Sequence, residues 1–225
     1  MVIDAPLTLA LGKGRLLDQS LAVFERLGYD MNPVRQAHRE RKMIGLDADG
    51  HLRALLAKDP DVPVYVEHGT ADIGIAGREV LRERGSDVLV PLLLGALLPD
   101  SCCRLVLAAP RALTRRNLRR FHDLRIATKY PNIARDYASR QGLSAEILGL
   151  SGQIELAPAS GLADVIVDIV QTGTTLREND LVELDTIFSV EACLIVNRAA
   201  QKLRPTEIKA LVTSMEDLIE GIASK

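Results

Sequence analysis

Short apolar runs that alternate with amphipathic stretches constrain the fold of this chain more than any other feature. Leu7–Leu11 is one such run; it ends in Gly12-Lys13-Gly14-Arg15, and apolar residues then recur at helical spacing as far as Gly28. Asp72–Gly77 repeats the pattern and is followed by a charged, helix-like stretch at Arg78–Arg84. Buried strands separated by helices are typical of α/β proteins. The pattern predicts an α/β fold with mixed, largely parallel sheets.

The same reading extends to the C-terminus. Further strands are predicted at Val88–Leu94, Arg104–Ala109, Arg125–Lys129, Ala145–Leu150, Val165–Val170, Leu184–Phe188 and Ala192–Asn197. Helices are predicted at Ile133–Arg140 and Thr175–Leu181. From Pro205 to Ile222 apolar residues recur at helical spacing, which predicts an amphipathic helix packed on the body of the protein or on a partner. No internal repeat is predicted.

Composition excludes several classes of function. The 225 residues carry 28 Lys+Arg against 30 Asp+Glu, whereas a generic polyanion binder needs a basic excess, so we expect no nucleic-acid partner. No stretch approaches the ~20 apolar residues of a membrane helix, and Met1–Pro6 lacks the basic start of a signal peptide. Cys102, Cys103 and Cys193 are odd in number and two are adjacent, which argues against disulfides and predicts buried thiols. A cytoplasmic protein without membrane association is expected.

A strand followed by a threonine-rich loop is the most informative segment. The strand carries Asp168 and leads into Thr172-Gly173-Thr174-Thr175, before a polar helix at Leu176–Asn179. Glycine lets the backbone approach a ligand closely, and hydroxyls and helix amides direct donors at one place, as a phosphate requires. Asp168 is positioned to accept hydrogen bonds from two ribose hydroxyls. The alternative is an Asp-capped turn whose threonines cap a helix.

Basic residues form two further candidates. Gly12-Lys13-Gly14-Arg15 combines backbone amides with two cations, which favours an anion site, although it is not a Walker A loop. An ordinary glycine-rich turn is the alternative. Arg41, Lys42 and Lys58 form a second basic group, for which a solvated surface is the alternative.

No protein-held metal is predicted, because the histidines show neither HxH nor HExxH spacing. They are His38, His51, His68 and His122.

Four blocks in order resemble the short form of the ATP phosphoribosyltransferase family, the enzymes that open histidine biosynthesis. The blocks are Leu9–Arg15, Asp61–Gly77, Ser151–Asp168 and Thr172–Leu181. The segment from Glu155-Leu156-Ala157-Pro158 through Asp168 to the Thr-Gly-x-Thr-Leu loop is specific to that family. Long forms carry a C-terminal histidine-binding domain, and this chain stops at Lys225, so the resemblance implies the short form.

The resemblance implies a particular architecture. Two α/β lobes like those of type II periplasmic binding proteins are expected, with the active site in the cleft between them. One lobe would comprise residues 1–99 and 183–225, and the other would comprise residues 100–182 with the phosphoribosyl-diphosphate loop.

The resemblance also implies a reaction. The adenine N1 of ATP would attack C1 of 5-phosphoribosyl 1-diphosphate, giving N1-(5-phosphoribosyl)-ATP and pyrophosphate, with Mg²⁺ carried on the diphosphate. Activity would involve a histidyl-tRNA-synthetase-like regulatory subunit and a homodimer within a hetero-oligomer. Two alternatives to this enzyme are a solute-binding module without chemistry and a regulatory paralogue that only scaffolds a partner.

Site roles follow from the resemblance residue by residue. Thr172, Gly173, Thr174, Thr175 and Leu176 would hold the 5′-phosphate. Asp168 would hold the ribose hydroxyls, and Glu155 would lie near the ribose or the metal. Lys13 and Arg15, on the loop of Gly12 and Gly14, would face the diphosphate or triphosphate, and Arg41, Lys42 and Lys58 would bridge the two substrates. Relatives carry Arg at the position of Lys58, where Lys gives a point charge instead of a bidentate clamp.

Overall fold

The computed structural model describes residues 5–113, 118 and 120–224, which form two compact units. The first unit comprises the described residues of Met1–Leu81, Gly85–Ser101 and Glu191–Lys225. The second comprises those of Arg82–Arg84 and Cys102–Val190.

The elements follow one another as strands separated mostly by helices. The strands are β1 (Leu7–Gly12), β2 (Ile44–Leu46), β3 (Leu52–Ala57), β4 (Ile73–Gly77), β5 (Leu89–Leu93), β6 (Cys103–Pro110), β7 (Leu124–Thr128), β8 (Ala145–Gly149), β9 (Val165–Val170), β10 (Leu181–Val190) and β11 (Ala192–Val196). The helices are α1 (Leu17–Arg26), α2 (Asn32–Arg39), α3 (Val62–Glu67), α4 (Arg78–Arg84), α5 (Pro131–Gln141), α6 (Leu156–Ala159), α7 (Thr174–Glu178), α8 (Arg198–Leu203) and α9 (Pro205–Ala223). Short 3₁₀ turns lie at Asp59–Asp61 and Pro99–Ser101.

The first unit is built on a six-stranded sheet in the order β2-β3-β1-β4-β11-β5. β1 is parallel to both β3 and β4, whereas β11 is antiparallel to β4 and β5. The apolar stripe of α9, formed by Ile208, Leu211 and Met215, is buried in the core of this unit. The C-terminal helix therefore packs on the body of the protein, the first of the two predicted alternatives.

The second unit is built on a five-stranded sheet in the order β10-β6-β9-β7-β8. β7 is parallel to β8 and β9, and β6 is antiparallel to β9 and β10. The predicted α/β fold with mixed sheets is confirmed, but the expectation of largely parallel sheets was wrong: among the described strands four pairings are parallel and five are antiparallel.

The two sheets share a topology that the sequence reading missed. The order β3-β1-β4-β11-β5 in one unit corresponds to β8-β7-β9-β6-β10 in the other, with the same parallel and antiparallel neighbours. Each unit also contains a Gly-x-Ala-Asp segment before its second central strand, at Gly69–Asp72 and at Gly161–Asp164. The recurrence lies in strand order and in these four-residue segments, so it is a similarity of topology and not the internal sequence repeat whose absence was predicted.

The aspartates of these two segments form hydrogen bonds that join the starts of neighbouring strands. The Oδ2 atom of Asp72 accepts a hydrogen bond from the Thr8 amide at 2.8 Å, and that of Asp164 accepts one from the Arg125 amide at 2.9 Å. The Arg125 guanidinium also contacts Asp164, with Nη2 and Oδ1 3.0 Å apart. This contact holds the pKa of the Asp164 carboxyl below its ordinary value.

Asp164→Asn is therefore expected to lower the melting temperature at neutral pH. Because the pKa of the Asp164 carboxyl is lowered in the folded state, the ionised carboxylate stabilises the fold. This stabilisation is fully present above the ordinary pKa of aspartate, about 4, and is lost as the pH falls through the lowered pKa of the folded state. Thermal melts should show a gap between variant and wild type that narrows below about pH 4. The exposed Asp123→Asn is the matched control; equal melting temperatures for Asp164→Asn and wild type at pH 7 would contradict this role.

The chain returns to the first unit later than the predicted boundary between residues 182 and 183. β10 pairs with β6 from Leu181 to Val190, with two register shifts, so the chain stays in the second sheet until Val190. The helix predicted over Thr175–Leu181 is also shorter, because α7 ends at Glu178. Asp180 then adopts a left-handed conformation with φ of 54°, which breaks the helix before the strand begins.

The three cysteines differ in exposure. Cys193 is buried, and burial raises the pKa of its thiol to about 11, so it is an inert core residue. Cys102 is exposed and Cys103 is partly exposed, so the prediction that all three thiols are buried was wrong. Among residues 5–113, 118 and 120–224, no helix is both long enough and apolar enough to cross a membrane.

Candidate active-site loops

The threonine-rich loop of the second unit connects β9 to α7. Thr172, Thr174 and Thr175 are exposed, and the Oγ1 atoms of Thr172 and Thr174 lie 3.1 Å apart. Leu176 was predicted to bind the phosphate, but its side chain is buried. Only its backbone amide is therefore placed to contribute to the loop. Amides in the first turn of a helix have no partner within the helix, which leaves donors for an anion.

Gly173 sets the shape of this loop. Its φ of 75° lies in the left-handed region, which is strained for any residue with a Cβ. A Cβ at this position would also come within 3.4 Å of Nη1 of Arg177. The backbone conformation is thus what favours glycine here, because the end of the Arg177 side chain could shift to admit a Cβ.

Arg177 is a site candidate that the sequence reading missed. Its guanidinium folds back over the loop: Nη1 donates to the Thr172 carbonyl at 3.2 Å and Nη2 donates to Oγ1 of Thr174 at 3.0 Å. The cation is therefore held beside the hydroxyls that were predicted to meet a phosphate. The sequence could have indicated Arg177, because this residue lies four positions after Gly173, in the first turns of a short helix.

Asp168 lies on the face of β9 that leads to this loop. Ile166 and Val170, two residues to either side, belong to the apolar cluster that includes Leu176. The pairing of β9 with β7 ends at Val167, so Asp168 lies one residue beyond that neighbouring strand. One carboxylate oxygen accepts from the Ile169 amide at 2.8 Å.

The electrostatic surroundings of Asp168 are mixed. Burial raises the pKa of its carboxyl, and the charge of Glu155 adds to this rise. The ammonium of Lys129 and the hydrogen bond from the following amide act in the opposite direction. Glu155 is itself partly buried and directly precedes α6, so the structure brings the two predicted carboxylates within electrostatic reach of each other.

Lys129 was not predicted as a site residue. It directly follows β7, a strand parallel to both β8 and β9. Residues that follow parallel strands meet at one edge of a sheet, where ligands of α/β proteins bind. That position was the signal that could have identified it.

The glycine-rich loop of the first unit follows β1. The Lys13 amide donates to the Ala57 carbonyl at 2.8 Å, and the Leu17 amide donates to the Gly14 carbonyl at 3.1 Å. The carboxylate of Asp59 lies against both glycines, and a Cβ at Gly12 or Gly14 would overlap it. Close approach of Asp59, which the sequence reading missed, explains why two glycines flank the lysine.

The two cations of this loop have different partners. Lys13 is exposed, and its Nζ atom makes a weak contact with Sδ of Met43 at 3.8 Å. Arg15 donates from Nη2 to the Asp100 carbonyl at 2.9 Å. Lys13 thus keeps an ammonium available to an anion, while Arg15 is tied to the 3₁₀ turn at Pro99–Ser101.

Lys58 lies at the same sheet edge as Lys13. Gly12 and Ala57 are paired residues of the parallel strands β1 and β3, and each lysine is the next residue along its chain. Lys58 is exposed. Two exposed lysines, which the sequence placed in separate basic groups, therefore extend from one edge of this sheet.

The segment containing Arg41 and Lys42 also runs along this edge. The Leu56 amide donates to the Met43 carbonyl at 2.8 Å, which holds the segment beside the end of β3. Arg41 has a φ of 60°, and the Nζ atom of Lys42 lies 2.7 Å from Oε2 of Glu40. Lys42 is thus already paired on the surface.

Glu79 adds a carboxyl at the end of β4. The side chain lies against Gly77, and its Oε2 atom is buried without a hydrogen-bond donor among the described residues. Burial raises the pKa of this carboxyl, and the nearby charge of Asp59 raises it further. The sequence reading missed Glu79, although its position just after a parallel strand could have identified it.

The fold and the loops together indicate the class of protein to which this chain belongs. Similar folds occur in the periplasmic aliphatic sulphonate-binding protein SsuA from Escherichia coli, with TM-score 0.59 and 11% identity over 98% of this chain and 74% of that chain. At this identity the likeness shows the fold alone. An acidic strand end followed by a Thr-Gly-Thr-Thr loop on this fold points to a phosphoribosyltransferase.

Comparisons with known proteins identify the family. The family model for ATP phosphoribosyltransferase, HisG, matches residues 58–217. ATP phosphoribosyltransferases from Sorangium cellulosum and Thermococcus gammatolerans are 43% and 46% identical, covering 96% and 93% of this chain and 97% of each relative. A chain of the ATP phosphoribosyl transferase (HisG:HisZ) complex from Thermotoga maritima has TM-score 0.80 and 32% identity, covering 96% of this chain and 99% of that chain. The chain belongs to the ATP phosphoribosyltransferase family, which confirms the predicted resemblance and the predicted transferase of histidine biosynthesis.

Proposed function

We propose that this chain condenses ATP with 5-phosphoribosyl 1-diphosphate and that the second unit holds the sugar phosphate. The loop from Thr172 to Leu176 binds the 5′-phosphate through hydroxyls and amides, and Asp168 accepts hydrogen bonds from the ribose hydroxyls. The placement of Asp168 on the face of β9 that leads to the Gly173 loop is the observation that carries this proposal.

The reaction makes a modest demand on acid–base chemistry. The lone pair of adenine N1 forms a bond to C1 of the ribose, and the bond from C1 to the diphosphate oxygen breaks, with its electron pair leaving on pyrophosphate. N1 carries no proton, so no general base is required. Catalysis then rests on positioning and on charge stabilisation: Asp168 faces the developing positive ribose, and cations face the departing diphosphate.

The cations of the first unit are proposed to bind the phosphate groups. Lys13, Arg15 and Lys58 face the diphosphate, and Arg41 and Lys42 contact the triphosphate or bridge the substrates. Lys42 must leave Glu40 to do so, which costs little because exposed ion pairs contribute about 0–1 kcal/mol.

Mg²⁺ enters this scheme as part of the diphosphate substrate. Glu155 and Asp168 offer hard carboxylate oxygens, the ligands that Mg²⁺ prefers. The effect of the Glu155 charge on Asp168 supports this fit, because two neighbouring carboxylates are relieved by a cation. Bound Mg²⁺ would neutralise charge on the leaving group.

A regulatory partner is proposed on the likeness to the HisG:HisZ complex from Thermotoga maritima. We propose that this chain forms a homodimer within a hetero-oligomer that contains a histidyl-tRNA-synthetase-like subunit. A biosynthetic enzyme of this family fits the cytoplasm, and we propose that compartment for this chain.

One assay tests the proposed function directly. Purified chain is mixed with ATP, 5-phosphoribosyl 1-diphosphate and Mg²⁺, with and without the partner subunit, and N1-(5-phosphoribosyl)-ATP is followed by absorbance. Product formation that requires both substrates is expected. Absence of product under both conditions, from protein shown to be folded by circular dichroism, would contradict the proposal.

A further inference from the structure

The turn between β2 and β3 brings two aspartates and a histidine together. One carboxylate oxygen each from Asp47 and Asp49 and one ring nitrogen of His51 lie within 4.8 Å of one another. Asp49 and His51 are exposed, so both can adjust toward a common centre. The turn belongs to the first unit and its residues have no role in the proposed reaction.

Asp47 is the unusual member of this group. The residue is only 3% exposed. Its Oδ1 atom accepts a hydrogen bond from the Leu52 amide at 2.7 Å, which anchors the carboxylate. Its Oδ2 atom is buried and has no hydrogen-bond donor among the described residues. A buried carboxylate oxygen without a partner is costly unless a cation or a donor compensates it.

The neighbouring carboxylate adds charge that no ion pair offsets. Within the described parts of the chain, no salt bridge involves Asp47 or Asp49. The turn therefore brings two carboxylates together without a protein cation paired to either, an arrangement that a bound metal ion would relieve.

The backbone holds the candidate ligands in place. The Gly50 amide donates to the Asp47 carbonyl at 3.1 Å, and Gly50 has the positive φ of 73° that this tight turn requires. The His51 carbonyl accepts from the Leu7 amide at 3.0 Å, at the start of a central strand. Backbone hydrogen bonds thus hold both Asp47 and His51, the first and last of the candidate ligands.

We propose that Asp47, Asp49 and His51 bind a divalent transition-metal ion of the Zn²⁺ type. Ligand atoms about 2.0–2.2 Å from a zinc ion lie about 3–4 Å apart, which small rotations of the two exposed side chains achieve. An imidazole beside carboxylates favours Zn²⁺ and related ions over Mg²⁺, which prefers oxygen ligands alone. Three protein ligands leave a coordination position for water. This proposal departs from the prediction, made from histidine spacing alone, that the protein holds no metal, because the candidate ligands alternate along a hairpin instead of following a histidine motif.

Zinc binding by variants tests the proposal. Untagged protein is titrated with Zn²⁺ in competition with a chromophoric chelator. Wild type and the exposed-histidine control His122→Ala are expected to take up one equivalent, whereas His51→Ala and Asp47→Asn should bind at least about tenfold more weakly. Asp47→Asn preserves an oxygen for the Leu52 amide, and circular dichroism verifies that both variants are folded.

Two further measurements complete the test. Anomalous diffraction from zinc-soaked crystals should place the ion at Asp47, Asp49 and His51, and Zn²⁺ should raise the melting temperature of wild type but not of His51→Ala. The transferase rate of His51→Ala without added zinc should match that of wild type, which separates this site from the reaction. Absence of zinc uptake by wild type, or equal uptake by His51→Ala and His122→Ala, would overturn the proposal.

Discussion

Asp168→Asn is expected to lower kcat/KM by about a hundredfold to a thousandfold, the range found when a charge-stabilising group is removed from an active site. In the proposed site this carboxylate would accept hydrogen bonds from two ribose hydroxyls and face the positive charge that develops at C1. Asparagine retains the shape but loses the charge and one acceptor. Steady-state kinetics with both substrates varied measures the effect.

The same substitution should leave the fold intact or make it slightly more stable. Burial raises the pKa of the Asp168 carboxyl, so ionisation at neutral pH costs folding free energy that a neutral amide avoids. The melting temperature should therefore equal or exceed that of wild type. Asp123→Asn, an exposed aspartate of the same unit, is the matched control, and wild-type kinetics for Asp168→Asn would remove the residue from the site.

Lys13→Met should lower kcat/KM by about a hundredfold, because an ammonium aimed at the departing diphosphate is lost while the aliphatic length of the side chain is kept. The Lys13 amide bonds to Ala57 through the backbone, so the loop should retain its conformation. The product pyrophosphate is a useful probe, since its inhibition constant should rise in the same variant.

Lys209→Met provides the control for Lys13→Met, because Lys209 is an exposed residue of the C-terminal helix and the change in net charge is the same. Equal losses in the two variants would show that only overall charge matters. An unchanged rate and unchanged pyrophosphate inhibition in Lys13→Met would place the diphosphate elsewhere.

Local sequence predicted those parts of the candidate site that lie on one continuous segment. Asp168 and the Gly173 loop were identified because a strand, an acid, a glycine and threonines follow one another within a few residues. Asp59 and Glu79 were missed because their relevance arises from contacts with Gly12, Gly14 and Gly77, which come together only in the folded sheet.

The fold was predicted to a similar degree and for a similar reason. Apolar runs identified most strands, but β2, β3 and α2 lay in a segment noted only for its charges. The end of the second unit was misplaced because the strand predicted at Leu184–Phe188 was assigned to the first unit, and only its pairing with β6 in the folded sheet shows that it belongs to the second.

The corresponding aspartates Asp72 and Asp164 separate the stability of each sheet from the composition of its loops. Each secures the amino ends of its two central strands, whereas the loops proposed to carry out chemistry extend from the opposite, carboxyl ends. The loops of the two units can therefore differ in sequence without any change to the hydrogen bonds that hold the strand starts together.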